Sequence, residues 1–169
     1  MEVLLSEEQI QQRIRELGAQ ITKDYAGKDL TIVAVLKGSF LFVADLVRHI
    51  HLPMEIEFLG VSSYGERTHT SGVVKFTQDL SQPVNDKDVL FVEDIVDTGL
   101  TMKYLLDNFA TRMPKSVKVC SLLYKPSNCK VHVDIHYLGF TIEDHFVIGY
   151  GLDLAEKYRN LPYIGYVVK

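Results

Sequence analysis

Three carboxylates and two hydroxyls crowd one short stretch of the chain: Glu93, Asp94, Asp97, Thr98 and Thr101 follow directly on the apolar run at 89–92. Four branched or aromatic residues in a row suit a strand buried on both faces of a parallel sheet. Open α/β sheets bind ligands at the carboxyl ends of such strands. Beyond Gly99, the residues Met102, Leu105, Leu106 and Phe109 recur at i, i+3, i+4 and i+7, one face of a helix that Met113-Pro114 ends. The acids and hydroxyls therefore occupy a strand-to-helix turn. First-turn amides, the positive end of the helix dipole and the hydroxyls of Thr98 and Thr101 together make an anion site, and Gly99 lets a ligand approach the backbone. The turn holds no lysine and the chain has no G-x-x-x-x-G-K-[ST] run, which argues against a nucleoside triphosphatase. Acids beside the turn repel a bare polyanion but accept hydrogens from sugar hydroxyls. The chemistry these types suit is the holding of a ribose 5-phosphate.

Two lysines stand at comparable places. Lys37-Gly38-Ser39 separates a buried strand at 31–36 from the helical run Phe40, Leu41, Val43, Ala44 and Val47, and so offers amides and a cation at a second strand end. Lys125-Pro126 closes a strand at 117–124, on the same side of the sheet as Asp97 if the strands are parallel. The polar, glycine-bounded stretch from Ser63 and Tyr64 to Gly72 is long for a compact domain and reads as a mobile lid that excludes water. Other motifs fail. G-V-S-S-Y-G misses the serine-hydrolase elbow at its last position, and G-Y-G-L-D-L lacks the third glycine of a dinucleotide fingerprint. His132 and His136 lie in an alternating run that predicts a strand, which disfavours a metal pair, and Cys120 and Cys129 have no redox or zinc spacing.

The elements that must position these groups follow from the patterns around them. Ser6 and Gln9 form a capping box before the stripe Ile10, Ile14, Leu17 and Ile21, a packing helix. Strands are predicted at 56–62, 73–76, 137–141 and 146–150. The alternation of strands and helices implies an α/β fold in one domain over 1–169, a length that buries roughly 70% of its unfolded surface. A net charge of −4 gives no footprint for nucleic acid, and there is neither a signal peptide nor an apolar run of about 20 residues. We therefore expect a cytoplasmic protein that binds neither nucleic acid nor membrane.

LKGS at 36–39, SSYG at 62–65, VEDIVDTGLT at 92–101, LLYKPS at 122–127 and FVIGYGLDLAEKYRNLPYIG at 146–165 occur in an order that resembles the purine phosphoribosyltransferases of the hypoxanthine-guanine type. That resemblance implies the type I phosphoribosyltransferase fold: a mainly parallel sheet flanked by helices, with a small hood and a mobile active-site loop. It implies purine salvage, with phosphoribosyl diphosphate and a 6-oxopurine as substrates, magnesium as cofactor and a homodimer or homotetramer as assembly. Lys37 and Gly38 would meet pyrophosphate through an amide exposed by a cis peptide, with Arg159 beside them, and Ser63 and Tyr64 would close over the site. Glu93 and Asp94 would hold the ribose hydroxyls and residues Asp97, Thr98, Gly99, Leu100 and Thr101 the 5-phosphate. Leu100 stands where some relatives carry a basic residue, so the phosphate would lean on amides and threonines. Lys125 would meet the purine 6-oxo group, Phe146 its face and Val147 its edge. Asp153 would order magnesium, with Glu93 and Asp94 as the further acids, and Asp97 would take the purine proton. Two other classes are expected to differ: an RNA-binding regulator of this fold by a basic face, and a non-catalytic nucleotide-binding subunit by lacking a proton acceptor.

Overall fold

Continuous apolar runs form the centre of the sheet and periodic ones its covering. The computed structural model describes residues 1–63 and 74–168. The chain runs β1 (Glu2–Leu5), α1 (Glu7–Asp24), β2 (Leu30–Leu36), α2 (Phe40–Val47), β3 (Met54–Ser63), β4 (Val74–Gln78), β5 (Asp88–Val96), α3 (Leu100–Ala110), β6 (Ser116–Tyr124), β7 (Tyr137–Thr141), β8 (Val147–Ile148) and β9 (Ile164–Tyr166). Six strands join in the order β4-β3-β2-β5-β6-β7, parallel except for the β3–β4 pair. Side chains alternate across this sheet as strand geometry requires. Ile32, Ala34, Leu90 and Val92 enter a core with α1 and α2, while Val33, Val35, Val89 and Phe91 pack with α3 on the other face. The fold is thus a three-layer α/β arrangement, as expected.

Helix α1 starts at the anticipated box: Gln9 donates its amide to Ser6 Oγ at 3.2 Å and returns its side-chain oxygen to the Ser6 amide at 2.9 Å. Its stripe Ile10, Ile14, Leu17 and Ile21 is fully buried, each side chain contributing about 1.5–3 kcal/mol over exposure. On the opposite layer, the rings of Phe91 and Phe109 meet edge to face with centroids 4.7 Å apart. A second sheet, β1-β9-β8, is antiparallel and forms the small hood. No described helix is long and apolar enough to cross a membrane.

Three expectations change. The central strand does not end at Val92: β5 continues to Val96, pairing Glu93 with Ser121 and Val96 with Tyr124, because a parallel ladder tolerates acids once one end of the sheet faces a cleft. The run at 131–136 is not a strand. Its backbone closes loops instead, the Val131 amide donating to Thr98 O at 3.1 Å, while His136 Nδ1 accepts from the Val119 amide at 3.1 Å and the His136 amide donates to Val119 O at 2.9 Å. The predicted strand at 146–150 shrinks to β8, since Gly149, Tyr150 and Gly151 all turn to positive φ.

Candidate active site

Strands β2 and β5 are neighbours whose following helices leave to opposite faces, so a crevice opens at their carboxyl ends, the place where open α/β sheets bind ligands. A cavity of about 450 Å³ occupies it, lined by Lys37 and Gly38 after β2, by Glu93, Asp94, Asp97, Thr98, Gly99 and Thr101 along β5 and the turn into α3, and by Asp153. An adjoining cavity of about 530 Å³ shares Lys37 and adds Arg159 and Glu156.

Glycine makes both turns possible. Gly99 has φ +87°, and a Cβ there would run into the Val131 carbonyl. Thr98 is held from two sides: its carbonyl accepts the amides of Lys130 and Val131 at 2.9 and 3.1 Å, and its hydroxyl accepts the Leu100 amide at 3.3 Å. Across the cleft, Gly38 packs directly against the Asp94 carboxylate of β5, which a Cβ at this position would displace. A non-proline cis peptide joins Leu36 to Lys37.

The acids differ in their surroundings. Glu93 is 7% exposed, and burial, then the neighbouring Asp94 carboxylate, pushes its carboxyl well above the usual range. Asp94 Oδ1 accepts the Ile95 amide at 2.8 Å. Asp97 Oδ1 is buried and has no hydrogen-bond partner among the described residues, while Oδ2 lies 3.9 Å from Lys125 Nζ. Lys125 itself is 6% exposed, and its ammonium stands 3.7 Å from Asp144, so neither acid consumes its donors. A carboxylate with one oxygen lacking a donor and an ammonium without a close acceptor among the described residues therefore stand side by side. Such a pair can accept one proton and donate another to adjacent atoms of one ligand edge.

Among the residues singled out from the sequence, Lys37, Gly38, Glu93, Asp94, Asp97, Thr98, Gly99, Thr101 and Asp153 come together, and Arg159 joins through the adjoining cavity; Leu100 and Lys125 line neither cavity, Lys125 meeting the group through Asp97. Phe146 is half exposed and Val147 is buried in β8 against Tyr166; neither lines either cavity. Ser63 ends β3, and Tyr64 with the rest of the expected lid lies outside the described residues. The sequence reading missed Glu156 and Asp144. Glu156 lies 3.2 Å from Lys37 Nζ and 3.5 Å from Arg159, and Lys37 first, then Arg159, holds its carboxyl below the usual value. No spacing rule could have found it, because Ala155, Glu156 and Tyr158 have positive φ and the segment follows neither a helical nor a strand period. The donors on offer to a cation are carboxylate oxygens, which suit a hard divalent ion. Among the described residues no three His, Cys, Asp or Glu side chains converge, so oxygens of a ligand would have to complete its shell.

The phosphoribosyl transferase domain family matches residues 2–155. The hypoxanthine-guanine phosphoribosyltransferase of Mycobacterium avium is 53% identical over 169 residues, covering 96% of this chain and 83% of the relative. That of Bacillus subtilis is 49% identical over 163 residues, covering 96% and 91%. A crystal structure of a hypoxanthine-guanine phosphoribosyltransferase from Bacillus anthracis superposes with a TM-score of 0.95 at 49% identity, covering 99% of each chain. With the crevice, its two glycine turns and these relatives together, the chain belongs to the phosphoribosyltransferase family, as an enzyme of the hypoxanthine-guanine type.

Proposed function

We propose that the crevice transfers the 5-phosphoribosyl group from phosphoribosyl diphosphate to hypoxanthine or guanine, giving the nucleoside monophosphate and pyrophosphate, with Asp97 and Lys125 facing the purine. The observation that carries the reading is the pair itself, the Asp97 carboxylate with Oδ1 unpartnered among the described residues and Oδ2 3.9 Å from the Lys125 ammonium. A 6-oxopurine presents N7 and the 6-oxo oxygen on one edge. An N7 proton faces a carboxylate and the oxygen faces an ammonium; a 6-amino group would set donor against donor. Val147 backbone groups and the Phe146 ring complete the purine end.

At the sugar end, the first-turn amides of α3 with Thr98 and Thr101 take the 5-phosphate, and Glu93 and Asp94 take the ribose hydroxyls. Lys37, Gly38 and Arg159 receive the diphosphate. The bond from C1 to the diphosphate oxygen breaks, its electron pair leaving with pyrophosphate, and the C1–N9 bond forms. The purine loses its proton to Asp97, and Lys125 stabilises charge gathering on the 6-oxo oxygen. Asp153, with Glu93 and Asp94 nearby, would hold magnesium; when bound, the ion neutralises the diphosphate leaving group. Family membership likewise supports a cytoplasmic homodimer or homotetramer built from one domain per chain. Offered phosphoribosyl diphosphate, magnesium and a panel of bases, the protein is expected to release pyrophosphate with hypoxanthine or guanine and not with adenine, uracil or orotate.

A further inference from the structure

The two cations assigned to the diphosphate reach the site from chain segments more than a hundred residues apart, Lys37 before α2 and Arg159 after β8. Something must fix one against the other. The turn Gly149–Tyr150–Gly151 is left-handed at all three residues, with φ of +97°, +48° and +98°; a bulky side chain keeps such a conformation only where its surroundings over-determine it. Those surroundings are visible. The Tyr150 amide donates to Leu161 O at 2.8 Å, and Gly151 is bound to Arg159 twice: its amide donates to Arg159 O at 2.8 Å and its carbonyl accepts from the guanidinium at 2.7 Å. Gly151 also abuts the diphosphate turn, since a Cβ on it would strike the Gly38 carbonyl.

The ring of Tyr150 is 4% exposed and runs back to α2, where its hydroxyl donates to the Asp45 carboxylate, with Leu41 O at 3.4 Å. Helix α2 begins immediately after Lys37-Gly38-Ser39, whose Ser39 hydroxyl is itself pinned to Val35 O at 2.6 Å. On the diphosphate reading above, we propose that Tyr150 is a positioning residue: its hydroxyl on Asp45 clamps the turn that carries Arg159 to the helix that carries Lys37 and Gly38. Asp45 keeps its other partners, Gln11 at 3.0 Å and Arg48, when the hydroxyl is removed. Tyr150→Phe therefore strands no buried charge and keeps the ring in place.

Tyr150→Phe is expected to raise the KM for phosphoribosyl diphosphate and the inhibition constant of pyrophosphate about tenfold, the equivalent of a hydrogen bond to a charged group at the lower end of its range. The KM for hypoxanthine should stay as in the wild type, and the thermal midpoint should fall by only about 3–6 °C, the effect of one lost hydrogen bond. Asp45→Ala should reproduce the effect, Asp45→Asn should restore part of it by keeping an acceptor, and the Tyr150→Phe/Asp45→Ala double variant should be no worse than either single one. Without any substrate, the amides of Tyr150 and Gly151 should exchange faster with deuterium in Tyr150→Phe while those of α1 stay protected. Diphosphate constants unchanged in the variant, equal shifts for both substrates, or unaltered exchange at Tyr150 and Gly151 would overturn the clamp. A wild-type protein inactive with phosphoribosyl diphosphate would refute the functional reading instead, and the exchange measurement would still decide the clamp.

Discussion

Lys125→Gln separates recognition of the purine from recognition of the sugar. Lys125 is 6% exposed, and its ammonium stands 3.9 Å from Asp97 and 3.7 Å from Asp144, beyond hydrogen-bonding distance of both. Its donors are thus held ready for a ligand oxygen. A hydrogen bond from a charged donor contributes about 1.5–3 kcal/mol, so its loss should lower kcat/KM for hypoxanthine about 10- to 150-fold. Glutamine also turns an acceptor toward a 6-amino group, and the preference of hypoxanthine over adenine should narrow by at least that factor. The assay is kcat/KM for hypoxanthine, guanine and adenine at saturating phosphoribosyl diphosphate, with a thermal melt to show that the variant folds. Binding of the sugar diphosphate should be unaffected, because its contacts come from other turns. A folded Lys125→Gln protein whose hypoxanthine-to-adenine ratio matches the wild type would refute the assignment.

Asp97→Asn keeps size but loses charge and basicity, so single-turnover rates should drop about 10²- to 10⁴-fold while a titration with phosphoribosyl diphosphate changes little. Glu93→Gln should trade substrate affinity for stability. Burial and Asp94 raise the folded carboxyl above its unfolded value, so the folded state holds the extra proton; stability is greatest below the unfolded value and is lost as pH rises through the folded one. Melts at about pH 4 and about pH 8 should therefore show the variant gaining on the wild type only at the higher pH, with a raised KM for phosphoribosyl diphosphate.

The ribose 5-phosphate end of the site was legible because one stretch carries it whole. Val89 to Met102 holds a strand, a glycine turn and a helix start, each with its own period, and the acids and threonines between them reach the cavity in sequence order. The strand end was read too early because Glu93 and Asp94 look like solvated residues, whereas Glu93 is buried in the ladder. The acceptor half depends on register. Lys125 meets Asp97 only because β5 and β6 pair Val96 with Tyr124 in parallel, and periodicity within either strand could suggest that but not fix it. The segment 149–159 was least legible. It is set by left-handed turns, and the contacts of Gly151 with Gly38 and of Glu156 with Lys37 span more than a hundred residues.

The central claim is that phosphoribosyl diphosphate and a 6-oxopurine are joined in this crevice. Product analysis with isotopically labelled hypoxanthine tests it most directly. One N9-linked nucleoside 5′-monophosphate should form for each pyrophosphate released, with magnesium required and excess chelator stopping turnover. Pyrophosphate release without a purine nucleotide, an equal yield with uracil, or full turnover in chelator would contradict the account.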